Sequence, residues 1–168
     1  MKIKLSKEVL KTITDLYSDL MVFEEFDANF DLGSSPFLIY LKSLQKALNL
    51  NSNHLDTLLQ LGRFNSILGN YQEAANHLNK LLKLAPNYSE VGLLSGKNLV
   101  ELNQFKSALP HLEKAVQQQP DSFEAQFYLG LNLIRLTRSE DAIAPFQKAV
   151  KIKPESALTF NHLGQTYQ

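Results

Sequence analysis

The chain has 168 residues, 44% of them hydrophobic, with 17 Lys+Arg balanced by 17 Asp+Glu and no cysteine. Zero formal charge removes the long-range positive field that holds nucleic acid or an anionic membrane, and the absence of cysteine excludes disulfides, thiolate metal sites and a cysteine nucleophile. Lys7, Glu8, Lys11 and Asp15 interrupt the segment after Lys2 and Lys4, so no signal-peptide core is present, and no stretch approaches the roughly 18 apolar residues of a membrane span; this composition points to a cytoplasmic protein.

At the N-terminus, Ser6 to Phe23 reads as a helix with Ser6 as its N-cap, followed by a loop from Asp27 to Pro36 rich in Asn, Asp, Gly and Ser. Glu24, Glu25, Asp27 and Asp31 lack the alternating ligands and closing Glu of a calcium loop, and Gly33-Ser34-Ser35 is not followed by the residues of a phosphate loop. Phe37 to Leu50 reads as a second helix. Residues 1–54 are therefore expected to form a divergent helix pair that caps the remainder of the chain.

From Leu55 onward a period of 34 residues takes over. Gly62, Gly96, Gly130 and Gly164 keep it, as do Ala74, Ala108 and Ala142, and as do Pro86, Pro120 and Pro154. Leu55, Leu58, Leu61, Phe64 and Leu68 have the spacing of a buried helical stripe, Gly69-Asn70 marks a turn, and Gln72 to Leu84 forms a second helix ended by Pro86. Equivalent turns are expected at Asn103-Gln104 and around Thr137 to Ser139. Pro110 and Pro145 fall in the early part of their second helices, where unpaired first-turn N–H groups would soften the usual cost, so bends are expected there. Three helix pairs result, at 55–88, 89–122 and 123–156, with 157–168 as the first helix of an incomplete fourth. Units of this kind bury their apolar faces only against neighbours.

The pattern resembles the tetratricopeptide repeat, in which an aromatic, a Leu-Gly pair and a second aromatic are followed by an alanine, a large apolar residue and a terminal proline. Phe160, Leu163, Gly164 and Tyr167 fit the opening signature fully. Leu58, Leu61, Gly62 and Asn65 depart from it at the last place, and Gly92, Ser95, Gly96 and Leu99 at three places. The second-helix signature holds in Ala74 with Leu78, Ala108 with Leu112 and Ala142 with Phe146. The resemblance implies an all-α fold, a right-handed superhelical solenoid of antiparallel helix pairs. Small residues at the glycine and alanine places let paired helices approach, and the large residues fill the remaining space.

The resemblance also implies a concave groove lined from the first helices, at the places three before, two before and one after each glycine. These are Leu59, Gln60 and Arg63; Leu93, Leu94 and Lys97; Phe127, Tyr128 and Leu131; and Asn161, His162 and Gln165. Leu59 and Leu94 stand where the family's clamp for an acidic chaperone C-terminus carries polar residues, so that partner is not expected. The lining instead suits an amphipathic helix or an extended apolar peptide, with Arg63 and Lys97 drawing acidic flanks. Packing between repeats is the competing reading for Leu59, Leu93 and Leu131 above all.

His54, His77, His111 and His162 read as surface or structural residues, because His77 and His111 hold equivalent places in successive units and would stand a repeat apart. No nucleophile context is present. The expected function is that of a non-catalytic adaptor or scaffold binding a protein or peptide partner, without cofactor, metal, nucleic acid or membrane. Two alternatives are the N-terminal region of a larger enzyme, such as a glycosyltransferase, methyltransferase or oxygenase, and a small secretion or assembly chaperone. Apolar residues on the last helix further suggest a homo-oligomer formed through that end.

Overall fold

The computed structural model describes residues 36–167, and every regular element among them is a helix: α1 (Pro36–Leu50), α2 (Leu55–Ile67), α3 (Tyr71–Leu84), α4 (Ser89–Glu101), α5 (Phe105–Gln118), α6 (Phe123–Arg135), α7 (Ser139–Ile152) and α8 (Ala157–Thr166). The helix expected from Ser6 to Phe23, the loop from Asp27 and the acidic residues Glu24, Glu25, Asp27 and Asp31 lie outside the described residues.

The first helices α2, α4 and α6 each have 13 residues, and the second helices α3, α5 and α7 each have 14. A side-chain cap recurs at three of the four first-helix starts, while Tyr88, at the same place before α4, makes no such bond. Ser122 Oγ accepts from the Ala125 N–H at 3.3 Å, Ser156 Oγ from the Thr159 N–H at 3.4 Å, and His54 Nδ1 from the Thr57 N–H at 3.3 Å. Each of these side chains satisfies a first-turn donor that the helix leaves unpaired. Asp56, Glu90 and Glu124 add negative charge at the positive end of their helix dipoles.

The turns between paired helices share one backbone device. Gly69, Asn103 and Thr137 occupy the left-handed region at φ 77°, 58° and 60°. The next residue's N–H then reaches back to the helix: Asn70 donates to Asn65 O at 2.8 Å, Gln104 to Leu99 O at 2.8 Å and Arg138 to Leu133 O at 2.9 Å. This is a Schellman closure, which satisfies carbonyls that the helix end would otherwise expose. Glycine enters that region without strain, whereas β-branched threonine does so at a cost. Thr137→Gly is therefore expected to stabilise the chain by about 1 kcal/mol, and Asn103→Gly to change little, in paired urea unfolding curves.

Helices α5 and α7 run unbroken through their prolines. Pro110 is the sixth residue of α5 and Pro145 the seventh of α7, both beyond the first four N–H groups, so the expected softening by unpaired first-turn donors does not apply to them. The Lys106 and Asp141 carbonyls lose their usual donors instead; Lys106, Asp141 and Pro110 are exposed, while Pro145 is buried.

The fold divides into two compact units, Met1–His77 and Leu78–Gln168. In the first, α1 packs on α2, and Leu58, Leu59, Leu61 and Phe64 are buried together with Ala74 and Ala75. Tyr40, Leu44 and Ala47, which stand 34 residues before Ala74, Leu78 and Leu81, are partly buried while Lys42, Gln45 and Lys46 are exposed.

In the second unit α4 to α8 pack in sequence, each on the next, and the first helices also touch side by side, α4 with α6 and α6 with α8. Glycine permits the close approach within each pair. A Cβ on Gly96 would stand 2.6 Å from Leu112 Cγ, and one on Gly130 would stand 2.9 Å from three atoms of the Phe146 ring. Both large side chains are fully buried, with Ala108 and Ala142 beside them in the same core. Loop carbonyls are drawn in by side chains: Lys114 Nζ donates to Pro86 O at 2.7 Å, Gln126 Nε2 to Pro120 O at 2.8 Å and Asn132 Nδ2 to Phe105 O at 3.1 Å.

Candidate functional site

The side-by-side contact of α4, α6 and α8 places the expected groove positions of the second unit on neighbouring helices. Leu93, Leu94 and Lys97 on α4, Tyr128 and Leu131 on α6 and His162 on α8 are partly buried, whereas Asn161 and Gln165 are exposed. Lys97 Nζ lies 5.0 Å from the centre of the Tyr128 ring, so α4 and α6 are bridged by a cation held over an aromatic face. Leu93, Tyr128 and Leu131 also pack on the core beneath. The result is an apolar strip carrying one positive charge.

Phe127 is placed differently from its neighbours on this strip. It is buried, 8% exposed, and its ring meets Tyr128, Phe146 and His162 edge-on at 5.6, 5.9 and 5.8 Å and stacks with Phe123 at 5.8 Å. His162 in turn lies parallel to Phe146 at 5.8 Å with 12° between the rings. These rings form one aromatic layer that holds α6, α7 and α8 together. Phe127 is thus part of the core, whereas Tyr128 beside it is partly buried.

In the first unit Leu59 is buried, and Gln60 and Arg63 are partly buried. Burial pushes the Tyr40 hydroxyl pKa up, and the Arg63 guanidinium opposes that shift, so Arg63 acts on α1 within its own unit. Leu158, which sequence reasoning passed over, is 56% exposed and precedes Asn161, His162 and Gln165 by the spacing of one helix face. Its signal was visible in the repeat: the same place carries Glu90 and Glu124, so a leucine there is a change of surface chemistry.

A pocket of about 270 Å³ opens elsewhere in the second unit, lined by Leu82, Pro86, Tyr88, Gly92, Pro110 and His111 among others. The Lys114 ammonium on its wall is engaged by Pro86 O and by Asn87 Oδ1 at 3.2 Å. Burial holds the His111 pKa below its ordinary 6.5, and the Lys114 charge adds to this. The folded chain therefore takes up the His111 proton less readily than the unfolded chain, so this contribution to stability is present above the unfolded pKa and is lost as pH falls through it. Chemical denaturation between about pH 7 and pH 5 is expected to show a loss of stability that His111→Gln reduces. Among the described residues, no three His, Asp or Glu side chains are grouped so that they could hold a metal ion. No helix among them is long and apolar enough to cross a membrane.

Comparison with known proteins accords with this architecture. Tetratricopeptide repeat models match residues 55–88 and 93–157. No curated protein matches the sequence significantly. Among solved structures, residues 41 to the end of MamA from Desulfovibrio magneticus RS-1 align with a TM-score of 0.73 and 29% identity, covering 95% of this chain and 82% of that one. YrrB, a TPR protein with an unusual peptide-binding site, aligns with a TM-score of 0.74 and 25% identity, covering 93% and 73%. Such repeats act as protein-interaction modules, and the matches support that role for this chain at that level. Eight helices among the described residues, a 34-residue beat of glycine, alanine and proline, and two matching repeat models together make this chain a member of the tetratricopeptide repeat family.

Proposed function

We propose that the chain is a non-catalytic adaptor whose second unit captures an amphipathic helix or extended apolar peptide on the strip formed by α4, α6 and α8. Leu93, Leu94, Tyr128 and Leu131 supply apolar contact, Lys97 attracts an acidic residue of the partner, and Asn161, His162 and Gln165 offer hydrogen bonds at the α8 end. The observation that carries the reading is the Lys97 ammonium held 5.0 Å over Tyr128 on an otherwise apolar, partly buried strip. A cation so placed, already partly desolvated, favours an acidic group arriving with apolar neighbours. Leu59 and Arg63 hold the equivalent places in the first unit. The peptide-binding site of YrrB supports a peptide as the ligand.

Selection from a displayed peptide library tests this. The folded chain is expected to enrich peptides that combine large apolar residues with Asp or Glu, and Lys97→Glu is expected to weaken those peptides by about tenfold or more. Enriched peptides that bind Lys97→Glu as well as the parent would refute the strip as their site.

A further inference from the structure

The pocket of about 270 Å³ in the second unit opens where Gly92 carries no side chain. A 34-residue step from Gly92 leads to Gln126, which is 1% exposed and donates from Nε2 to Pro120 O at 2.8 Å. Pro86 stands the same step before Pro120, but glycine at 92 has nothing to offer its carbonyl. Lys114 Nζ takes that role instead, at 2.7 Å from Pro86 O and 3.2 Å from Asn87 Oδ1. Lys114 is partly buried, whereas Lys148, one repeat on, is exposed. Loss of the side chain at 92 thus brings a cation to the wall of a pocket.

Helix packing does not demand that glycine. A Cβ on Gly92 would stand 3.4 Å from His111 O and 3.9 Å from Ala115 Cβ, in ordinary contact, against 2.5 Å from Leu112 at Gly96 and 2.9 Å from Phe146 at Gly130. The consequence of glycine at 92 is therefore the pocket, and not a closer approach of α4 to α5.

The rest of the lining defines the chemistry. Pro86, Tyr88, Pro110 and His111 bring ring-bearing side chains, with Leu82 beside them, and flat faces of this kind suit an aromatic ring. The volume falls just below the about 300–1,000 Å³ usual for drug-sized ligands, which limits the occupant to a single or fused ring. Burial keeps His111 neutral at pH 7, so Lys114 is the one charged residue in the lining. An ammonium has three protons, and with Pro86 O and Asn87 Oδ1 holding two, the third is left for an acceptor on the ligand.

We propose that this pocket binds a small aromatic carboxylate, its ring at Gly92 against Tyr88, Pro110 and His111 and its carboxylate on the Lys114 ammonium. A carboxylate is preferred to a neutral acceptor because its hydrogen bond to Lys114 is charge-assisted. None of the lining residues belongs to the α4, α6 and α8 strip, so the two sites stand or fall separately.

The probes are fluorinated benzoate, phenylacetate and indole-3-carboxylate, each with its neutral amide, titrated into the full chain and followed by fluorine NMR. Saturable binding of at least one acid is expected, about tenfold tighter than its amide. Gly92→Gln puts into the pocket the side chain that the next repeat holds there, and it is expected to weaken that acid about tenfold or more. Glutamine favours a helix over glycine, so this variant should melt no earlier than the parent. Lys114→Gln should remove the preference for acid over amide, which a merely structural role for the lysine would not do, and Lys97→Glu should change neither affinity. In the isotopically labelled parent chain the backbone amides of Gly92 and His111 are expected to shift as the acid saturates, a readout that needs no variant to fold. Lack of saturable binding by all three acids overturns the proposal. So does binding that Gly92→Gln leaves intact, an acid preference that survives Lys114→Gln, or saturation that leaves the Gly92 and His111 amides unmoved.

Discussion

Gly130→Ala destabilises the chain by roughly 1–2 kcal/mol, whereas Gly164→Ala stabilises it by about 0.5–1 kcal/mol, although both exchange the same residues in first helices of the same repeat. The opposite signs follow from one added methyl group. At Gly130 it would lie 2.9 Å from three atoms of the Phe146 ring, which is fully buried and held between Phe127 and His162. That ring cannot retreat without opening the aromatic layer, so overpacking outweighs the gain in helix propensity. At Gly164 the methyl group meets nothing within 4 Å, and the propensity gain remains. Gly96→Ala belongs with Gly130→Ala, since the fully buried Leu112 stands in the way. Thermal melts of the three variants check this, and a Gly130→Ala chain as stable as the parent would mean that the helix pair spreads at little cost.

Phe127→Ala and Tyr128→Ala are expected to separate folding from binding at adjacent positions. Phe127 is buried under four aromatic contacts, and its truncation is expected to cost about 3–5 kcal/mol, a large share of a small domain's stability. The helical circular dichroism signal should melt several degrees earlier or be lost. Tyr128 is only partly buried, so its truncation should leave a folded chain that loses partner capture and the cation–π contact with Lys97. Equal destabilisation by both variants would place Tyr128 in the core as well.

Much of this was legible because the 34-residue beat constrains geometry. Gly96 with Leu112 and Gly130 with Phe146 were readable as interlocking pairs because a missing Cβ and a large apolar side chain recur at fixed separation. The turns at Gly69, Asn103 and Thr137 were placed to within a residue or two, but the left-handed backbone at Thr137 was not, since β-branched side chains give no signal for it. The prolines show the limit of local rules. Unpaired first-turn donors do not account for Pro110 and Pro145, which sit deeper in helices that run through them. Groove positions counted from the glycines fell on adjacent helices, but counting cannot tell a ring that lines a surface from one that supports it. Phe127 and Tyr128 differ by about 100° around α6, and the neighbouring rings of Phe146 and His162 decide which of them is covered.

The most direct test of partner capture on the α4, α6 and α8 strip is a chemical-shift map of the isotopically labelled chain titrated with a selected acidic, apolar peptide. The predicted result is a contiguous set of perturbed resonances at Leu93, Leu94, Lys97, Tyr128, Leu131 and Gln165. Saturable shifts confined to other surfaces, with these six unmoved, would contradict it.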